Sequence, residues 1–322
     1  MPRKLIVHVG PRKTATTAIQ RVLAEHDNSV VIYPKVGYTG GQSHQGLVFK
    51  FFGERTKGDG SKESIDDLLQ AIARDSRGSD RNVVISCEAL EYRDVGAFVR
   101  GVLPYVGNGS IDVEILFACR EHFARAASLH NHRVSKRALN EKRTPDEYLG
   151  SVSARLCYAP LVKRLRDTGF NITAMNYHPS DGWVKRFMMH IGFPEDQIPE
   201  IPRELVSNSP KLMIVNLALK RLVATRWDRA RYIKPFRAMH GSRSPSRFVF
   251  GRDAAVAADR LFSADRQFLK EEFGIEITPP DLTSEANALF ITSDDLSDIA
   301  AAAAGLGAKG EAIVDFARQY VR

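Results

Sequence analysis

A loop near the start of the chain combines residue types that suit it to holding an anion. The segment reads HVGPRKTATT over residues 8–17, between a short apolar run and a stretch with helical character. The N–H groups at the start of a helix have no partner inside the helix, and with the helix dipole they attract negative charge. Lys13 adds a positive charge, and Thr14, Thr16 and Thr17 add hydroxyl donors. The loop is therefore chemically fit to hold a phosphate group.

The spelling of this loop differs from that of the usual nucleoside-triphosphate loop, G-x-x-x-x-G-K-[ST]. Lys13 follows Gly10 by three residues, and no second glycine precedes the lysine. Two later apolar runs end in Ser-Cys-Glu at residues 86–88 and in Ala-Cys-Arg at residues 118–120. Neither run ends in the aspartate that would hold magnesium beside a triphosphate. The pattern therefore disfavours a magnesium-dependent triphosphate site.

A second candidate anion site lies at the end of the later apolar run. Arg120 ends a predicted strand, and Ser128 follows eight residues further on, within a predicted helix. Eight residues are about two helical turns, so both side chains could face one phosphate near the first loop. The sequence thus offers one anion site at residues 10–17 and another at residues 120–128.

Two residues are candidates for a general base. Glu88 stands at the C-terminal end of a predicted strand, where ligand crevices of open α/β sheets form, and partial burial there would raise its pKa. An ion pair with Arg93 or Arg120 is the alternative role for Glu88. His44 lies in a glycine-rich loop and could reach an acceptor hydroxyl. His8, inside a predicted strand, is interpreted as a structural histidine.

Alternating strand and helix patterns position these residues. Strands are predicted at residues 4–9, 82–87, 111–119 and 171–177, and helices at residues 16–25, 64–74, 95–103, 121–136, 156–166 and 183–191. This alternation predicts an α/β fold with a central, mostly parallel sheet flanked by helices. Beyond about residue 195 the patterns predict a helical C-terminal part, with helices at residues 211–224 and 254–273.

The sequence shows no convincing boundary between two independent domains. We therefore expect one α/β domain at residues 1–285, with a sheet core at residues 4–195 and a helical part at residues 205–275. A helical tail would follow at residues 286–322. A basic, aromatic-rich stretch, residues 226–252, could close over a bound nucleotide, grip an acidic acceptor or simply be solvated.

Composition places the chain among ordinary globular proteins. It has 322 residues, of which 43% are hydrophobic and 26% charged, and a formal net charge of +8. No apolar stretch approaches the ~18 residues of a membrane span, and the N-terminus lacks a secretory pattern, which predicts a cytoplasmic protein. The charge suits an anionic partner, but no dense basic tail or RNA-binding motif points to nucleic acid. Cys87, Cys119 and Cys157 match no zinc pattern and are expected to be reduced thiols.

The two anion motifs together resemble those of the sulfotransferase family, whose donor is 3′-phosphoadenosine 5′-phosphosulfate. The 5′-phosphosulfate loop of that family is usually spelled P-K-T-G-T-T. Residues 11–17 read P-R-K-T-A-T-T, with Arg12 inserted and Ala15 in place of glycine. The 3′-phosphate site of the family pairs an arginine with a serine eight residues later, as Arg120 and Ser128 are spaced. The resemblance covers roughly the predicted sheet core.

This resemblance implies a P-loop NTPase-like fold and an in-line transfer of a sulfuryl group to a hydroxyl, with a carbohydrate or glycolipid as the favoured acceptor. It implies that Lys13 stabilises the leaving oxygen. Many carbohydrate sulfotransferases have a glutamate where this chain has Glu88, which makes Glu88 the candidate base, with His44 as its competitor. No metal is required. The residues expected to bind the donor are Arg12, Lys13, Thr14, Ala15, Thr16, Thr17, Arg120 and Ser128.

The differences between this loop and the usual family sequence lead to predictions about the backbone and the contacts of the loop. Because alanine fits the left-handed backbone region poorly, Ala15 is expected to have a negative φ. One of Thr14, Thr16 and Thr17 is expected to serve as the N-cap of the helix. Arg12 could contact phosphate or substrate, or point to solvent.

Two other functions remain open. A P-loop phosphotransferase would use ATP, and it would need magnesium and a carboxylate to hold the metal. A non-enzymatic protein that binds nucleic acid or another polyanion would use the basic C-terminal half. Its binding would depend steeply on salt and would be insensitive to Lys13→Ala.

Overall fold

The structure of the chain, a computed structural model, describes residues 3–26, 29–38, 41–54, 63–107, 111–136, 138–178, 182–200, 208–241, 249–282 and 289–322. In the described part of the chain helices flank one sheet, and about 59% of the described residues are helical. The predicted α/β class is therefore confirmed. Within the described ranges, no helix combines the length and apolar character that crossing a membrane would require.

The sheet is parallel throughout the described part of the chain. Its strands are β1 (Lys4–His8), β2 (Val83–Ser86), β3 (Asp112–Arg120) and β4 (Asn171–Tyr177). Their order is β2-β1-β3-β4, and an isolated bridge from Ile32 to Val83 continues the sheet beyond β2. Between β2 and β3 the chain crosses from one side of β1 to the other. The carboxyl ends of β1 and β3 therefore flank the point at which strand order reverses, where open parallel sheets bind ligands.

Helices occupy most of the remaining described residues. They are α1 (Thr16–Glu25), α2 (Gln45–Phe51), α3 (Ile65–Ser76), α4 (Val95–Val106), α5 (His122–Ser135), α6 (Pro145–Leu156), α7 (Ala159–Arg166), α8 (Trp183–Ile191), α9 (Pro210–Leu222), α10 (Arg226–Tyr232), α11 (Arg252–Phe273), α12 (Ser293–Ala303) and α13 (Ala308–Arg318). The predicted helix at 156–166 is shorter than expected, because α6 ends at its first residue and α7 begins three residues later. The predicted helices at 16–25 and 183–191 match α1 and α8.

Contacts group the chain into two compact units. The first comprises Met1–Arg120, Tyr158–Pro202 and Arg266–Ile277, and the second comprises Glu121–Cys157, Arg203–Asp265 and Thr278–Arg322. This grouping differs from the expected single domain at residues 1–285 with a separate tail. The reason is that α12 and α13, from the expected tail, share a hydrophobic core with α9.

The first unit buries its central strand on both faces. Leu5 and Val7 of β1 belong to a core formed with α3 and α4, whereas Ile6 belongs to a core formed with α1 and α8. Successive residues of a strand point to opposite faces, so this alternation requires apolar layers on both sides of the sheet. The polar residue that ends β1, His8, is as fully buried as its apolar neighbours.

The second unit is helical in its described part. Its α9 is buried around most of its circumference and packs with α12 and α13. A second apolar cluster joins α5, α6 and α11 through Phe123, Leu149 and Phe262. The basic stretch at 226–252 contains α10 and a short 3₁₀ helix, Lys234–Gly241, while its residues 242–248 lie outside the described part.

Candidate functional site

The loop between β1 and α1 has an unusual backbone. Lys13 has a φ of 73° and Ala15 a φ of 57°, both in the left-handed region. The expected negative φ of Ala15 is therefore wrong. A non-glycine residue in this region costs about 1–2 kcal/mol, because its Cβ crowds the following carbonyl oxygen. The loop holds this shape despite the alanine.

The start of α1 presents main-chain N–H groups rather than a side-chain cap. Ala15, in the left-handed region, is the N-cap of α1, and no side chain accepts a hydrogen bond there. The expectation that a threonine caps α1 is wrong, because the buried Thr14 hydroxyl donates instead to the Pro11 carbonyl at 2.7 Å. A left-handed residue followed by helical Thr16 turns successive N–H groups toward one concave side, an arrangement that binds anions. Thr17 is exposed at the same end of the helix.

Arg120, from the second predicted anion motif, contacts this loop. Its Nη1 donates to the Lys13 carbonyl oxygen at 2.7 Å, across a sequence separation of 107 residues. The main chain of Arg120 is fixed by Tyr158, whose hydroxyl accepts from the Arg120 N–H at 2.8 Å and donates to the Arg120 carbonyl at 2.9 Å. The guanidinium lies over the Tyr177 ring, 5.3 Å from its centroid. The structure therefore brings Arg120 and the loop together.

Ser128, the expected partner of Arg120, lies in α5 and is half-buried. It belongs to the second unit, whereas Arg120 ends the first. Glu121 caps α5, and its carboxylate accepts from the N–H groups of Phe123 at 2.9 Å and Ala124 at 2.6 Å. A carboxylate therefore already satisfies the N-terminal amides of α5. The joint role of Arg120 and Ser128 at one phosphate stays a prediction.

Glu88 directly follows β2 and begins a short 3₁₀ helix. Its side chain is 34% exposed, and the Nε of Arg12 lies 4.0 Å from its Oε2. Burial raises the pKa of Glu88 above its usual value, while the charges of Arg12 and Lys13 and the nearby Thr16 hydroxyl act in the opposite direction. A carboxylate with a raised pKa is a better proton acceptor when ionised. Glu88 has the partial burial that the sequence predicted.

The ion pair suggested for Glu88 forms with a different arginine. Arg93 donates instead to Glu54 at 2.7 Å. Arg120 points to the Lys13 carbonyl, so neither predicted partner pairs with the Glu88 carboxylate. Arg12 takes that place from an exposed position.

His44 is buried rather than exposed in its glycine-rich loop, of which residues 39 and 40 lie outside the described part. Its Nδ1 accepts from the Ser86 N–H at 3.1 Å, and its Nε2 is 2.8 Å from the Pro34 carbonyl oxygen. Burial lowers the pKa of His44 to about 4, although the hydrogen bond to the Pro34 carbonyl opposes this. Because main-chain groups occupy both ring nitrogens, the geometry argues against the predicted role of His44 as base.

A buried polar cluster lies beneath the loop, and the sequence interpretation missed it. His8 and Ser86 are paired in the register of β1 and β2, with Nδ1 2.9 Å from the Ser86 hydroxyl. The Gln20 side chain donates to the same hydroxyl at 3.1 Å. Burial lowers the pKa of His8 to about 3, so its imidazole is neutral. The signal in the sequence was a polar residue at the end of each of two neighbouring apolar strands.

The possible metal ligands and the three cysteine thiols are a further class of reactive side chain. Among the residues that the structure describes, no cluster of three or more His, Cys, Asp or Glu side chains is arranged to hold a metal ion. Cys87 and Cys119 are buried thiols, and Cys157 is a partly buried one. Burial raises the pKa of Cys87 to about 12, which keeps it protonated at neutral pH.

Comparisons of this chain with models of known protein families, with curated proteins and with solved structures found no match. A shared fold would not by itself assign a reaction, because one fold hosts many functions. The function of the chain is therefore inferred from the loop, Arg120 and Glu88.

Proposed function

We propose that this chain binds 3′-phosphoadenosine 5′-phosphosulfate at the loop between β1 and α1 and transfers its sulfuryl group to an acceptor hydroxyl. The observation that carries the proposal is the 2.7 Å hydrogen bond from Arg120 to the Lys13 carbonyl. A nucleotide with two separate phosphates needs two groups of donors within its own length. The loop and Arg120 are two such groups, and they adjoin at the reversal point of the sheet.

The proposed donor contacts follow from what each group offers. The N–H groups at the start of α1 and the Thr16 and Thr17 hydroxyls bind the 5′-phosphosulfate, and Arg120 binds the 3′-phosphate. Lys13 stabilises the negative charge that grows on the oxygen leaving the sulfur. The same arrangement of central strand, loop and helix supports a P-loop NTPase-like fold.

Glu88 is the proposed general base. The acceptor hydroxyl gives its proton to Glu88 as its oxygen forms a bond to sulfur, and the bond between sulfur and the donor's phosphate oxygen breaks. The products are a sulfate ester and adenosine 3′,5′-bisphosphate. Burial raises the pKa of Glu88, which favours this role, while the charges of Arg12 and Lys13 act in the opposite direction. By analogy with the family, we expect the acceptor to be a carbohydrate or a glycolipid.

Binding of the reaction product gives the first test. Calorimetry with adenosine 3′,5′-bisphosphate in the presence of a metal chelator should show binding, and Arg120→Ala should weaken it at least about tenfold. Arg74→Ala, on the exposed face of α3, is the matched control and should leave the affinity unchanged. Transfer of radiolabelled sulfate to a panel of saccharides and glycolipids then identifies the acceptor.

The two alternative functions predict different results in the same assays. Magnesium-dependent binding of ATP without affinity for the bisphosphate would establish the phosphotransferase instead. Polyanion binding that falls steeply with salt, with no response to Lys13→Ala, would establish the non-enzymatic function. Lys13→Ala suits this comparison because lysine and alanine are similarly strained at a φ of 73°.

A further inference from the structure

Two buried polar atoms converge on the first glycine of the anion-binding loop. A Cβ at Gly10 would lie 2.8 Å from the Nε2 of His8 and 2.9 Å from the Oγ1 of Thr16. Both atoms are buried; the Thr16 hydroxyl lies near the Glu88 carboxylate, whereas the Nε2 of His8 has no hydrogen-bond partner. Leaving a buried polar atom unsatisfied is unfavourable, and such atoms are rare in folded proteins. The unsatisfied Nε2 of His8 beside the loop points to a ligand that completes its hydrogen bond.

The cluster beneath the loop bears on which nitrogen of His8 carries the proton. Gln20 donates to the Ser86 hydroxyl oxygen at 3.1 Å, which leaves the hydroxyl proton of Ser86 for another acceptor. The Nδ1 of His8, 2.9 Å from that oxygen, and the Tyr33 hydroxyl are the two acceptors within reach of this proton. With the proton shared with Nδ1, the ring proton of the neutral imidazole is on Nε2, the atom that lies beside Gly10.

We propose that His8 donates a hydrogen bond from Nε2 to an oxygen of the tetrahedral oxyanion held by the loop, and that Ser86 and Gln20 position His8 for this contact. The ligand class is a phosphate or sulfate group, free or as part of a nucleotide. This inference rests on the anion-binding part of the proposed function and does not require sulfuryl transfer.

Neutral histidine suits such a site. The His8 ring packs against Phe187, with ring centroids 4.8 Å apart, in an apolar surrounding that lowers the pKa of His8 to about 3. A neutral N–H stabilises the anion without giving up its proton, while Lys13 supplies the positive charge. His8 and Thr16 are buried, so the proposed contact requires the segment at Gly10 and Pro11 to move outward.

Histidine-labelled nuclear magnetic resonance on the unaltered chain tests the contact directly. The probes are inorganic sulfate, inorganic phosphate and adenosine 3′,5′-bisphosphate. The His8 ring should carry its proton on Nε2, and that resonance should shift during titration with the midpoint that calorimetry gives for binding. A proton on Nδ1, an unchanged His8 resonance at saturation, or binding of none of the three probes would overturn the inference.

Variants provide the second readout. His8→Phe keeps a ring against Phe187 but removes the donor, and should weaken bisphosphate binding about tenfold. Ser86→Ala should weaken binding less and change the protonated nitrogen of His8, which settles the question if His8→Phe fails to fold. His130→Phe is the matched control, since His130 is a buried imidazole of the second unit with one nitrogen bonded to the Arg143 carbonyl and the other without a partner.

The outcomes separate this inference from the proposed function. Bisphosphate binding with the His8 response, but no sulfate transfer to any acceptor, would leave the inference standing and remove the sulfotransferase proposal. Sulfate transfer with unchanged bisphosphate affinity in His8→Phe would do the reverse. Unchanged affinity in His130→Phe is expected, and a loss equal to that of His8→Phe would count against a specific role for His8.

Discussion

His8 and Ser86 lie side by side on neighbouring parallel strands, and their side chains are joined at 2.9 Å in a buried layer. Polar side chains in such a layer are stable only when their hydrogen bonds are made. The Ser86 hydroxyl makes its hydrogen bonds, and the His8 ring makes one through Nδ1 but none through Nε2. The remaining nitrogen of His8 is therefore the atom on which the inferred contact with an oxyanion rests.

Glu88→Gln should lower the rate of sulfate transfer by about 100-fold or more, because the amide cannot accept the hydroxyl proton. Bisphosphate affinity should stay the same or rise slightly, since a negative charge near the loop is removed. In the unaltered chain the rate should rise with pH through the raised pKa of Glu88. Steady-state kinetics across pH measures both effects. Equal rates in Glu88→Gln and in the control Glu54→Gln would exclude Glu88 as the base.

Gly10→Ala should displace the groups beneath the loop. The new methyl would lie less than 3.0 Å from atoms of His8 and Thr16, so one of them must move. We expect a loss of about 1–3 kcal/mol in the free energy of unfolding, measured by urea denaturation, together with weaker bisphosphate binding. Gly41→Ala is the control, because a Cβ there meets no atom within 4 Å. Equal effects of the two substitutions would contradict the close packing described at Gly10.

Ala15→Gly should stabilise the chain, because glycine adopts a φ of 57° without steric strain. The relief is partly offset by the greater freedom of glycine in the unfolded chain, which leaves a gain of about 0.5–1 kcal/mol in the free energy of unfolding. Ala18→Gly, inside α1, should instead destabilise by about 1 kcal/mol. Thermal and urea unfolding of both variants would show the opposite signs, and a loss of stability in Ala15→Gly would contradict the left-handed backbone.

Acid should destabilise the chain through its buried histidines. Burial lowers the pKa of His8 to about 3 and those of His44 and His130 to about 4, from an ordinary value of 6.5. Below pH 6.5 the unfolded chain binds protons that the folded chain does not, so the stabilisation present above this pH is lost as pH falls toward 4. Each histidine lowers the free energy of unfolding by up to about 1.4 kcal/mol per pH unit in this window.

Urea unfolding at a series of pH values measures this loss. His130→Phe should flatten the slope by the share of one histidine, because the phenyl ring takes up no proton. An unchanged slope in that variant would show that His130 does not contribute to the acid sensitivity.

Lys220→Met should destabilise the second unit. The buried ammonium group of Lys220 donates to the carbonyls of Arg133 at 2.6 Å, Lys136 at 3.0 Å and Leu139 at 2.7 Å, just where α5 ends. Losing these bonds should lower the free energy of unfolding by about 2–4 kcal/mol. Lys309→Met, which removes one exposed contact, should change it by less than about 0.5 kcal/mol. Similar losses in both variants would contradict a special role for Lys220.

Much of the first unit was predictable, because its strands are short apolar runs and its helices have one apolar face. The strand at 171–177 and the helix at 183–191 end where the patterns end. In contrast, α6 was missed although Thr144 and Glu147 form a capping box at its start. Apolar spacing predicts a helix only from residue 156 onward, and that prediction makes no use of Thr144 and Glu147 as a helix-start signal.

The site was predictable to the extent that parallel strands align their carboxyl ends. That alignment brings Arg120 to the loop, although the two are 107 residues apart in sequence. The burial of His44 was not predictable, because it depends on the main chain of Pro34 and Ser86, which no local pattern links to it. The same holds for the left-handed Ala15, whose sequence neighbours favour a right-handed helix.

The oxygen that accepts from Arg120 belongs to the main chain of Lys13, not to its side chain. The hydrogen bond from Arg120 to the loop therefore does not depend on which side chain residue 13 carries. The position of the loop and the positive charge of residue 13 can therefore vary separately. A Lys13→Met chain would keep the hydrogen bond between Arg120 and the loop but would lack the ammonium group. Under the proposed function, such a variant would bind the donor and the acceptor together and react slowly.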